Sequence, residues 1–173
     1  MMKQYEIHIG KLIRDKLEED GRKVEWLANK IYCTQDDIYK VIDRNSTHTA
    51  KLWDISIALK TDFFTYMTDI YENIAGETDG IHTKSWVGQH HKTIGALIKS
   101  KFDEDGRKVA WFAQKMGCKK RNIYDIFRRD SIDLEQLLRI SLTLKTDFFA
   151  YFSEYYRSIV NEAKPVFHGT ISK

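Results

Sequence analysis

The stretch VAWFAQKMGCKKRNIYDIFR, residues 109–128, decides how this chain folds. Val109, Phe112, Ala113 and Met116 recur at spacings of three and four, which predicts a short amphipathic helix that stops at Gly117. Ile123, Ile126 and Phe127 form the apolar stripe of the helix that follows. Ala113 is small enough for two helices to cross closely, and Gly117 tolerates the positive φ that a tight helix–helix turn can demand. Cys118 then fills the corner. Between and after the apolar anchors stand five cations, Lys119, Lys120, Arg121, Arg128 and Arg129, against the single acid Asp125.

Moving outward, the chain repeats itself. IGKLIRDKLEEDGRKVEWLANK (9–30) aligns with IGALIKSKFDEDGRKVAWFAQK (94–115), and KTDFF occurs at 60–64 and again at 145–149. The offset is 85 residues throughout, without a gap, and roughly half of the 66 aligned positions are identical. Self-similarity at a fixed period means two copies of one structural unit. Each copy reads as five short helices. In the second copy the first helix carries Ile94, Leu97, Ile98 and Phe102, and a charged DEDG turn separates it from the 109–116 helix. The fourth holds Leu134, Leu137, Leu138 and the run from Ile140 to Leu144. Thr146 and Asp147 offer capping oxygens to a fifth, with Phe148, Phe149, Phe152 and Tyr156. No stretch has the alternation of a strand. The expected fold class is all-α, divided into residues 1–74, a linker at 75–93, residues 94–160 and a tail at 161–173.

Composition agrees with a folded, helical protein. Of 173 residues, 42% are hydrophobic and 31% charged, and a single proline leaves long stretches free of helix breakers. No apolar run approaches the length needed to span a bilayer, so no membrane partner is expected. The N-terminal MMKQYEIHIG has no signal-peptide core, and two cysteines without metal-type spacing suggest a reducing cytoplasm.

The pattern of Ala113, Gly117, Cys118, Ile123 and Ile126, set within five helices, resembles the helix-turn-helix of the Cro/C1-type (lambda-repressor-like, XRE) DNA-binding family. The resemblance covers nearly all of each copy and implies two tandem five-helix domains. It also implies a sequence-specific transcriptional regulator, bound to double-stranded DNA and nucleoid-associated in the cytoplasm. In that family the third helix enters the major groove and the start of the second touches phosphates. Carried over, Lys119, Lys120, Arg121, Asn122, Asp125 and Arg128 would read bases, and Arg107, Lys108 and Arg129 would hold phosphates. Helical geometry agrees: with Ile123, Ile126 and Phe127 inward, Arg121, Asp125 and Arg128 point outward. The plainer reading is a solvated face with pairs such as Arg121–Asp125. Five positives against one negative argue against it, because solvated faces usually mix signs.

The first copy departs from this pattern. In CTQDDIYKVIDR (33–44), the counterparts of Arg121, Asp125 and Arg128 are Asp36, Lys40 and Asp43, so every sign is reversed. Tyr32 replaces Gly117, where a positive φ would be costly. Residues 1–80 carry 11 Lys and Arg against 15 Asp and Glu, whereas 81–173 carry 17 against 10, within an overall charge of +3. A weak or absent DNA role is expected for the first copy, with Gln35 and Arg44 as its remaining contacts. It could instead serve dimerisation (a homodimer), bind a basic protein partner, or fold over the basic helix of the second copy. The linker of 19 residues, able to reach about 60 Å extended, would allow both copies onto half-sites roughly 34 Å apart.

Other features have plain expected roles. His82, His90 and His91 read as solvated histidines, Cys33 and Cys118 as buried packing thiols, and Trp26 and Trp111 as core. The aromatic fifth helices exceed what one small bundle obviously needs to bury, so contact between copies or chains and plain core are equally open readings there. No phosphate loop, nucleophile–base pair or metal cluster is legible, so neither an enzyme nor a cofactor is expected. The alternative function is a protein-interaction adaptor that kept the fold without specific DNA binding.

Overall fold

The computed structural model describes residues 6–76, 86 and 88–163. His82, most of the expected linker and the tail from 164 onward lie outside the described residues. Among those described, the chain is all-helical: α1 (Ile9–Glu19), α2 (Val24–Lys30), α3 (Gln35–Arg44), α4 (Thr49–Ala58) and α5 (Phe64–Ala75), then α6 (Ile94–Glu104), α7 (Val109–Met116), α8 (Lys120–Phe127), α9 (Leu134–Thr143) and α10 (Phe149–Ala163). Each helix of the second five begins 85 residues after its counterpart in the first. Packing repeats as well. α3 lies against α1 and α2, and α2 against α4, just as α8 lies against α6 and α7, and α7 against α9.

Local chemistry sets the helix starts. Asp133 Oδ1 accepts the amides of Glu135 at 3.0 Å and Gln136 at 3.3 Å, which caps α9. Asp147 Oδ1 does the same for Phe149 and Ala150 at the head of α10, so of the two expected capping residues the aspartate performs the role. Asp62 repeats this at α5, accepting the Phe64 amide at 3.0 Å. The stripe of Ile123, Ile126 and Phe127 is buried, as the periodicity requires.

The two sets of helices are not separate bodies on a string. α5 packs against both α9 and α10, and one continuous buried core runs through both sets. Phe64 stacks on Phe152 at 4.5 Å between ring centroids, and Trp53 stacks on Tyr155 at 4.9 Å. Burying each such ring stabilises the fold by about 1.5–3 kcal/mol. The excess of aromatic residues in the fifth helices is thus used between the copies. At the centre of the seam, His48 and Asp133 form an isolated antiparallel bridge. The Thr49 amide donates to the Ile132 carbonyl at 2.9 Å, and the Leu134 amide donates to the Thr47 carbonyl at 3.0 Å. Ser46 Oγ adds a bond to Asp133 Oδ2 at 2.9 Å, and Ser131 Oγ accepts the Ala50 amide at 3.1 Å.

Part of the expected linker belongs to this core. Trp86 is only 1% exposed; its ring nitrogen donates to the Asp147 carbonyl at 3.2 Å and its amide donates to Glu154 at 2.7 Å. The Tyr151 hydroxyl donates to the Lys92 carbonyl at 3.0 Å. His90, expected to be a solvated histidine, instead stacks on Tyr155 at 4.7 Å, on the far side of a ring that Trp53 already covers. His91 is exposed, as expected. The difference lies in the neighbours: among the described residues, His90 meets the face of an aromatic ring, and His91 does not.

Two consequences can be measured. Gly95 donates its amide to the Arg129 carbonyl at 2.9 Å, and a Cβ there would sit 2.5–2.7 Å from the carbonyl oxygens of Ile126, Phe127 and Arg129. Gly95→Ala should therefore destabilise the protein by about 1–3 kcal/mol, read from the urea midpoint. Burial holds the Asp147 carboxyl above its ordinary value near 3.8, with the Glu72 charge adding to the shift and the Thr68 hydroxyl and Phe149 and Ala150 amides opposing it. The same carboxylate contributes to pushing Tyr71 up to about 12, where burial is the main cause. The folded state holds the Asp147 proton more tightly than the unfolded state does, so this group favours folding at low pH. That contribution is lost as pH rises through the raised folded value. Asp147→Asn, which retains a capping oxygen, should flatten the dependence of stability on pH from about 3.8 upward; thermal unfolding across that range checks it.

Candidate nucleic-acid interface

α7 and α8 meet at a turn that the sequence dictates. Gly117 adopts φ 66° and closes α7, and the Cys118 amide reaches back to the Ala113 carbonyl at 3.0 Å. From α9, Arg139 donates to the Met116 carbonyl at 2.9 Å, so a cation rests on the negative end of α7. Cys118 is half-buried and unpaired, less deep than expected, as is Cys33. Gly95 of α6 presses against the far end of α8. The axis of α8 is thereby fixed at both ends.

This frame displays the basic side chains. Lys119, Lys120, Arg121 and Asn122 are all exposed, and so are Arg128 and Arg129 beyond the last turn. Asp125 is half-buried, and its carboxylate lies 4.0 Å from Arg128. The plainer pairing expected from spacing, Arg121 with Asp125, is replaced by that i,i+3 contact, whose long distance and exposure make it weak. Arg129 donates to Gln136 at 3.2 Å, which holds its guanidinium toward α9. None of the expected readers is covered by the first five helices, so the idea that they fold over the basic helix is wrong. Their packing partners are α9 and α10.

The charge is misplaced for helix stability. Lys119 is the N-cap of α8 and gives no side-chain cap, and the first turn contains no acid. Three cations therefore crowd the positive end of a helix dipole, where each is unfavourable by about 0.3–1 kcal/mol. The counterpart helix α3 does the opposite. Thr34 and Asp37 form a capping box, with the Asp37 carboxylate accepting the Thr34 amide at 3.0 Å and hydroxyl at 2.8 Å. Those bonds hold the Asp37 carboxyl below its ordinary value.

Beside this face, Gly106, Arg107, Lys108, Ala110, Trp111 and Gln114 line a shallow depression at the head of α7. The Arg107 guanidinium lies 4.7 Å from the Trp111 ring centroid, and Lys108 is the exposed N-cap of the helix. The counterpart depression contains Trp26, whose ring lies under Arg22 at 4.5 Å. Both tryptophans, expected in the core, are only half-buried, and an arginine lies over each ring. The four-residue spacing from arginine to tryptophan in GRKVEW and GRKVAW is the signal that could have revealed this.

The first set of helices retains the same geometry with different chemistry. Gln35 and Arg44 are exposed, and Asp43 lies 3.9 Å from Arg14. Tyr32, for which a positive φ was expected to be costly, adopts φ 57° all the same and is 97% exposed. The Cys33 amide still reaches the Ala28 carbonyl at 3.0 Å, so the hydrogen bonds of the turn are kept at the expense of backbone strain.

Among the described residues, no helix is long and apolar enough to cross a membrane. No protein-family model matches the chain, and neither a curated protein nor a solved structure matches it.

Replacing Lys119 with a capping acid tests the misplaced charge directly. Lys119→Asp should stabilise the fold by about 1 kcal/mol, measured by equilibrium denaturation, because the basic N-cap serves no purpose within the chain itself.

Proposed function

We propose that the protein is a sequence-specific binder of double-stranded DNA that acts as a transcriptional regulator. In this reading the chain consists of two tandem helix-turn-helix units of the lambda-repressor-like type, and the second unit is the main reader. The observation that carries it is the head of α8, where Lys119, Lys120 and Arg121 stand exposed against the helix dipole with no acid in the first turn. A polyanion would relieve that repulsion. Arg121 and Asn122 suit guanine and adenine edges, Lys119 and Lys120 suit phosphate or guanine, and Arg128 lies farther along the same face. Arg107 and Lys108 flank them at the start of α7, and Arg129 lies close to the head of α9, as phosphate contacts would. The first unit contributes the other side of an internal dimer, in the cytoplasm where such DNA is found. A second reading, a protein-interaction adaptor, has one observation in its favour: Tyr32, just before the acidic α3, and Tyr39, within it, are exposed.

The two readings diverge in a mobility-shift titration on duplex DNA. The combined variant Lys120→Ala, Arg121→Ala and Arg128→Ala should lower affinity at least tenfold and reduce the slope of log affinity against log salt by about 2–3. Unchanged affinity and slope would sink the groove-reading model and leave the adaptor.

A further inference from the structure

The seam has a symmetry that the charges do not share. His48 and Asp133, paired in the bridge, are equivalent positions under the 85-residue repeat. The two bonds around them, Thr49 to Ile132 and Leu134 to Thr47, are images of one another under the same offset. A local two-fold axis therefore runs through the bridge. The symmetry is approximate beyond the bridge, since α5 packs on α9 more closely than α10 does on α4, and it sets α3 and α8 at similar heights on either side. The chain from Arg44 at the end of α3 to His48 is four residues, which reaches at most about 14 Å. A ten-residue helix adds about 15 Å, so the head of α3 lies within about 29 Å of the axis. Adjacent major-groove half-sites need each helix only about 17 Å from it.

The chemistry of α3 is also less hostile to DNA than its charge count suggests. Asp37 is occupied by its capping box, and Asp43 lies near Arg14. What the head of α3 exposes is Gln35 and Asp36, with Lys40 and Arg44 farther along. A carboxylate accepts from the cytosine N4 amino group, and glutamine pairs bidentately with adenine, whereas the lysines and arginine of α8 suit guanine. The two heads thus differ in chemistry: α3 offers a carboxylate acceptor beside an amide that both donates and accepts, whereas α8 offers cationic donors beside the Asn122 amide.

Resting on the DNA-binding reading above, we infer that one chain recognises a double site with unlike halves. A guanine-containing element lies under α8, and an element presenting cytosine and adenine amino groups lies under α3, one helical turn away. Selection of bound sequences from random duplex DNA by the intact chain tests this. The expected result is two elements with centres about 10 base pairs apart. Gln35→Ala with Asp36→Ala should erase the preference in one element and leave the other intact. Inserting five base pairs between the elements should lower affinity roughly tenfold, because the seam fixes the spacing. Circular dichroism of the double variant confirms that it remains folded. Enrichment of a single element, untouched by the double variant, would overturn the inference while leaving the DNA-binding reading intact. No duplex binding at all would overturn both.

Discussion

The pair of reciprocal backbone bonds at 47–49 and 132–134 is the constraint on which the rest of the molecule depends. It joins the two copies through the loops that follow α3 and α8, immediately after the two helices that differ most in charge. Thr49 is fully buried there, and its hydroxyl also accepts the Ile132 amide at 3.2 Å. Buried amides of this kind must be paired, so the seam cannot shift by one residue without leaving donors unmet. The aromatic stack of Trp53, Tyr155 and His90 then covers the joint from one side, and Trp86 pins the connecting chain along α10.

The contrast between α3 and α8 shows how a duplicated unit can keep a fold while exchanging its chemistry. Apolar anchors at Ile38 and Ile123 are both fully buried, so the packing requirement is the same in each copy. The helix heads are free to diverge. α3 took the locally stable solution, a capping box with acids in the first turn, whereas α8 carries lysines and arginine where acids belong. A local rule broken without compensation inside the chain is the usual mark of a site that faces something outside it.

Much of this was legible in the sequence, for identifiable reasons. The helices follow from spacings of three and four, and the buried face of α8 from Ile123, Ile126 and Phe127. The 85-residue offset carried the equivalence of every helix start. Three features escaped. Trp86 stands in a polar stretch with no periodicity, so nothing local marked it as core. The seam is made by backbone atoms of irregular segments, whose pairing is indifferent to side-chain pattern. Tyr32 contradicted the glycine rule because the turn is fixed by its two flanking helices, which supply enough packing to offset one strained residue.

Carrying both copies on one chain also changes what dilution can do. Two separate subunits joined by a seam of this size would part as their concentration fell. Here the partner is tethered, present at an effective concentration on the order of millimolar whatever the number of molecules in solution. The joint therefore opens only as part of local or global unfolding. Its occupancy is set by temperature and solvent rather than by protein concentration.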